Sequence, residues 1–89
     1  MKAAMVYRPN SATSREAEDY LRDFTRRTAL TLEVLDPDTS EGQAFCELYD
    51  VVEFPSIVAL DDAGKLMQIW RGLPLPLFDE VAYYAAGSS

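Results

Sequence analysis

The chain has 89 residues, 48% of them hydrophobic and 26% charged, with a formal net charge of −7, one cysteine and no histidine. This composition belongs to a folded domain rather than a disordered one, and the length leaves room for one domain with a modest core. No apolar run approaches the roughly 20 residues of a membrane helix, and no basic stripe is present to displace counterions from phosphates, so neither membrane nor nucleic acid is an expected partner.

From Thr28 to Gly64 there is no Lys or Arg, yet nine acids occur: Glu33, Asp36, Asp38, Glu41, Glu47, Asp50, Glu53, Asp61 and Asp62. Such a stretch solubilises a surface, and it also favours a basic partner at long range. The apolar part of Met1 to Arg8 is too short for a signal peptide. The lone Cys46 cannot form an intrachain disulfide, so the cytoplasm is the default expectation.

Ala3 to Tyr7 is a short apolar run suited to a buried strand, stopped by Arg8-Pro9-Asn10. Ala17, Tyr20, Leu21 and Phe24 then recur at helical spacing, and Thr13 with Glu16 has capping-box spacing at the start. Leu30, Leu32 and Val34 alternate with polar residues, which predicts a strand ended by Asp36-Pro37-Asp38. Ser40 and Gln43 mark a second capping box, and the helix they open is expected to turn Phe45, Leu48, Tyr49 and Val52 to one face.

Ser56 to Leu60 reads as a strand, Asp61-Asp62-Ala63-Gly64 as a tight turn, and Lys65 to Trp70 as the hairpin partner. Pro74 and Pro76 preset a last helix, whose apolar stripe is Phe78, Val81, Ala82 and Ala85. The domain is expected to span residues 1–86, with residues 87–89 as a flexible tail. Strands joined through a helix favour parallel pairing and a hairpin must be antiparallel, so the expected fold is α/β: one mixed four-stranded sheet with helices on both faces.

This βαβ-α-ββα order, with a proline just before the third strand, resembles the thioredoxin-like fold, and the size is closer to glutaredoxin. The segment from Ala44 to Val58, with Tyr49-Asp50-Val51 and Phe54-Pro55-Ser56, is similar to the thioredoxin stretch in which a helix ends at Tyr-Gly-Val/Ile and leads to Ile-Pro-Thr. The resemblance implies a cis Phe54–Pro55 bond. Gly64 and Gly72 also fall at family positions.

The family's Cys-x-x-Cys has no counterpart. Where it would sit, the chain reads Arg8-Pro9-Asn10-Ser11-Ala12-Thr13-Ser14, so Ser11 and Ser14 take the positions of the two cysteines. Disulfide exchange needs a thiolate to attack and to leave, and a serine hydroxyl does neither. The buried acid beneath the family's cysteines falls at Met5.

Other chemistry has weaker footing. A serine hydrolase built on Ser11 lacks a histidine base. Ser11, Thr13 and Ser14 are better read as partners for the free N–H groups of a helix start. Asp36 to Glu47 echoes a calcium loop, but Glu41 stands where its glycine should, and an acidic turn explains it better. Nothing in the sequence asks for a metal or a cofactor.

The resemblance implies a substrate groove. Its matching positions are Asn10, Ser11 and Ala12; Phe54 and Pro55; and Arg71, Gly72 and Leu73. Trp70 and Leu75 add apolar area nearby. The expected function is a redox-inactive module that binds a protein or peptide there, with a basic partner favoured. The alternatives are a thiol enzyme or glutathione-type binder, using Cys46 or the first-helix N-terminus, and a structural subunit that buries Trp70. The oligomeric state cannot be read from the residues.

Overall fold

A computed structural model of the chain describes residues 2–86, and the expected tail at residues 87–89 lies outside them. The elements run β1 (Lys2–Val6), α1 (Ser14–Thr28), β2 (Glu33–Leu35), α2 (Ser40–Tyr49), β3 (Ser56–Leu60), β4 (Leu66–Arg71) and α3 (Phe78–Ala85). The sheet order is β2-β1-β3-β4, with β1 parallel to β2 and the other two pairings antiparallel.

Because alternate residues of a strand face opposite sides, β1 feeds two cores. Ala3, Met5 and Tyr7 join Ile57, with Ala17 and Phe24 of α1 and Val81 of α3. Ala4 and Val6 join Leu35, Val58 and Leu60, covered by Phe45, Cys46 and Tyr49 of α2. The central strand β3 is buried along its whole length. Helices therefore lie on both faces, α1 and α3 on one and α2 on the other.

Five local expectations are corrected. Thr13 precedes α1, but its side chain makes no capping hydrogen bond, because its backbone (φ −106°, ψ 4°) lies outside the extended region that caps require. Nor do the serines serve the free amides: Ser11 Oγ donates to the Arg8 carbonyl at 2.7 Å and Ser14 Oγ to the Ser11 carbonyl at 2.9 Å. In α2 the cap is Thr39 rather than Ser40, since Thr39 Oγ1 accepts from the Gly42 N–H at 3.0 Å.

The strand expected over Leu30 to Val34 begins only at Glu33. Leu32 is already in the core, while Val34 is 48% exposed at the margin of an edge strand with one neighbour. In α2 the inward face is Gly42, Phe45, Cys46 and Tyr49, a complete i, i+3, i+4, i+7 set. Leu48 therefore points outward, and Val52 lies beyond the helix end, where the period no longer holds; they are 72% and 70% exposed.

Three side-chain hydrogen bonds close the hairpin end. The Tyr49 hydroxyl donates to the Gly64 carbonyl, tying α2 to the β3–β4 turn. Asp61 Oδ1 accepts from the N–H groups of Ala63 and Lys65 at 2.9 and 2.8 Å, while Gly64 supplies the positive φ.

Asp50 ends α2 in the left-handed region, at φ 56°. An L side chain is disfavoured there, and a carboxylate at a helix C-terminus opposes the dipole. Asp50→Gly is expected to stabilise the domain by about 1 kcal/mol, the relief outweighing glycine's extra chain entropy. Thermal unfolding followed by circular dichroism should show the midpoint rising by about 4–8 °C. A lower midpoint would mean that the Asp50 side chain makes a compensating interaction.

Candidate functional site at one end of the sheet

Strand register brings the expected groove segments together. Val6 pairs with Leu35 and with Ser56, and Ser56 pairs with Arg71, so Leu35, Val6, Ser56 and Arg71 form one row across the sheet. Just beyond that row lie the loop after β1, the turn after β2, the segment before β3 and the loop after β4.

These segments are bonded to one another. The Gly72 N–H donates to the Pro55 carbonyl at 2.9 Å, joining the β4 exit to the β3 entry. The buried Ser56 hydroxyl donates to the Glu53 carbonyl and holds the preceding bend. The Phe54–Pro55 bond is cis, and so is Leu73–Pro74, which the sequence reading did not anticipate.

Phe54 is half-buried, with part of its ring against the α2-side core. The Arg8 guanidinium lies over the ring, 4.9 Å from its centroid. Arg8 Nε also reaches the Asp38 carboxylate at 3.0 Å. One side chain thus links the loop after β1, the turn after β2 and the segment before β3. Sequence reasoning missed Arg8, because its partners stand 30 and 46 positions away and its own position signalled only a strand end.

The remaining groove residues divide by exposure. Ala12, Arg71 and Leu73 are exposed and Ser11 partly so, while Pro55 and Gly72 are buried. Pro55 and Gly72 therefore shape the floor, and their mutual hydrogen bond occupies an amide and a carbonyl that an added strand would otherwise use. Trp70 packs within the chain, 5.7 Å from the Tyr84 ring, and is only half-exposed.

The exposed Glu53 side chain stands close beside Gly72. A Cβ built on Gly72 would fall 2.7 Å from a Glu53 carboxylate oxygen, and the φ of +71° at Gly72 further disfavours any other residue. Cys46 is half-buried on α2, far along the chain from Ser11 and Ser14. Burial pushes its thiol pKa up, and the Arg8 charge, which pulls it down, is the weaker influence. Among the described residues no group of three or more potential ligands could hold a metal ion.

The structure superimposes on thioredoxin 1 from the thermophilic eubacterium Thermosipho africanus TCF52B with a TM-score of 0.63, covering 94% of this chain and 89% of that one at 14% identity. The fold is thioredoxin-like. No protein-family model matches the sequence, and no curated protein sequence matches it. In this thioredoxin-like chain, α1 begins at Ser14 and Ser11 stands in the turn before it. The buried position in β1 expected to replace an acid is Met5, fully enclosed by the core. No helix of the described residues is long and apolar enough to cross a membrane.

Proposed function

We propose that this thioredoxin-like domain is a redox-inactive binding module. It holds a protein or peptide segment across the surface made by Ser11, Ala12, Phe54, Arg71 and Leu73. The observation that carries this reading is the Phe54 environment: an aromatic ring left half-exposed in the segment before β3 and clamped by Arg8, while Leu73 is exposed in the loop after β4. Aromatic and arginine side chains so placed supply disproportionate binding energy at interfaces. The buried Pro55 and Gly72 fix the backbone on which those side chains stand.

The absence of a second cysteine supports the inactive half of the proposal. A thiol enzyme based on Cys46 has less support, because the raised pKa leaves little thiolate. The acidic field favours a basic partner in approach. At the surface itself, Arg8 and Arg71 would meet acceptor groups of that partner.

Wild-type and Phe54→Ala protein, compared in two assays, test both halves. Neither should reduce insulin disulfides in dithiothreitol above the uncatalysed rate. On affinity capture from the source cell, the wild type should retain a specific protein that Phe54→Ala releases, while circular dichroism shows both folded. Catalysed insulin reduction would refute the inactive half; retention of the same protein by Phe54→Ala would refute the groove.

A further inference from the structure

We propose a second site, independent of the first: the cleft between α1 and the β4–α3 loop binds a small monocarboxylic acid with an aromatic or alkyl body. The cleft is open to solvent and has a volume of about 440 Å3, within the size range of small-ligand pockets. Tyr20 and Arg27 of α1, seven positions apart on one helix face, form one wall; Leu75, Pro76 and Phe78 form the other. The walls are thus largely apolar, with two polar groups that have neither a salt bridge nor a hydrogen bond among the described residues.

The first is Arg27. Its neighbours on α1 are paired, Arg22 with Asp19 and Asp23, and Arg26 with Asp23 at 2.8 Å. Arg27 has no carboxylate within ion-pair distance among the described residues and instead lies 5.7 Å from the centre of the Phe78 ring. Its planar fork of donors suits a carboxylate held in two parallel hydrogen bonds.

The second is the Tyr20 hydroxyl, buried with no hydrogen-bond partner among the described residues. Burial, with a smaller contribution from Glu80, holds its pKa up at about 12, so it remains a donor at neutral pH. Buried polar groups are normally paired. Binding therefore requires the rim side chains of the cleft to shift, so that a ligand oxygen reaches this hydroxyl. Asp79 also lines the cleft and the Glu80 charge acts on Tyr20; both repel an anion, a dianion such as a phosphate ester about twice as strongly as a monocarboxylate, so a single carboxylate held by Arg27 is the fitting anionic class.

Phenylacetate titrated into the full chain, with phenylacetamide as the uncharged control, tests this by amide-resolved NMR. Phenylacetate should give saturable shifts at Tyr20, Arg27 and Phe78 with a Kd on the order of 1 mM or tighter. Phenylacetamide should bind at least about tenfold more weakly, and Arg27→Gln should lose about as much for phenylacetate. Arg22→Gln, on the same helix but already paired, should bind like wild type, and Tyr20→Phe should bind several-fold more weakly. Absence of saturable shifts, equal binding of acid and amide, or equal losses in Arg27→Gln and Arg22→Gln would overturn the site. Full affinity in Tyr20→Phe would contradict the role given to the hydroxyl.

Discussion

Replacing Gly42 with alanine is expected to destabilise the domain by about 3 kcal/mol or more, against what helix propensity alone suggests. Gly42 lies in the first turn of a ten-residue helix, where alanine would ordinarily gain about 1 kcal/mol. Sterics reverse the sign. A Cβ there would stand 1.8 Å from the Asp36 carbonyl oxygen, 2.6 Å from its carbon and 3.0 Å from Pro37 Cα.

All three atoms are backbone, so no side-chain rotation relieves the overlap. The turn they belong to is held by Thr39, whose N–H and hydroxyl both donate to that same Asp36 carbonyl, at 3.1 and 2.8 Å. Relief requires α2 to move off the sheet, taking Phe45, Cys46 and Tyr49 away from Val6, Leu35 and Val58. Urea unfolding of Gly42→Ala should therefore show a much lower midpoint, or a domain already unfolded in buffer. A midpoint equal to or above that of the wild type would mean that α2 does not cross this turn so closely.

Phe24→Ala is expected to cost about 3–5 kcal/mol, the range for removing a large buried aromatic side chain. Phe24 is fully buried. Its ring stacks on Tyr20 with centroids 6.1 Å apart and meets Phe78 edge-on at 5.8 Å, while Tyr20 meets Phe78 at 4.9 Å. Removing the ring leaves a cavity in the core that joins α1 to α3, and a domain of this size holds only a few kcal/mol to lose. Phe24→Leu, which keeps most of the apolar volume, should retain most of the stability. Equal urea midpoints for the two variants would show that the ring contacts, rather than the volume, decide the cost.

Much of this arrangement was legible in the residues. The Ala3 to Tyr7 run, the Ala17–Phe24 stripe and the Ser56 to Leu60 run are patterned strongly enough to identify β1, α1 and β3. The inward face of α2 is hidden for a physical reason. Its first inward position is Gly42, which carries no hydrophobic signal, so the apolar spacing points through Leu48 and Val52 instead. The late start of β2 was hidden because Leu32 is buried before the strand hydrogen bonds begin.

At the candidate site, the placing of the loop after β1, the segment before β3 and the loop after β4 at one end of the sheet followed from element order and the family resemblance. What the sequence could not convey was which groups would remain accessible. Pro55 and Gly72 satisfy each other across the floor, while Arg8 becomes the linking side chain through partners remote in the chain. Pair contacts between loops of different strands leave no periodic trace.

If this end of the sheet is the contact surface, β4 offers an internal control. Leu73 follows β4 at the proposed surface and is 48% exposed, whereas Leu66 begins β4 at the opposite end and is 39% exposed. At the rise of an extended strand, about 3.3 Å per residue, the two ends of β4 are well separated. A photoreactive residue should be installed at each position in turn and irradiated in the source cell. The account predicts a discrete cross-linked product from position 73, lost when Phe54→Ala is added, and none from position 66. Equal products from both positions, or a product from position 66 alone, would contradict it.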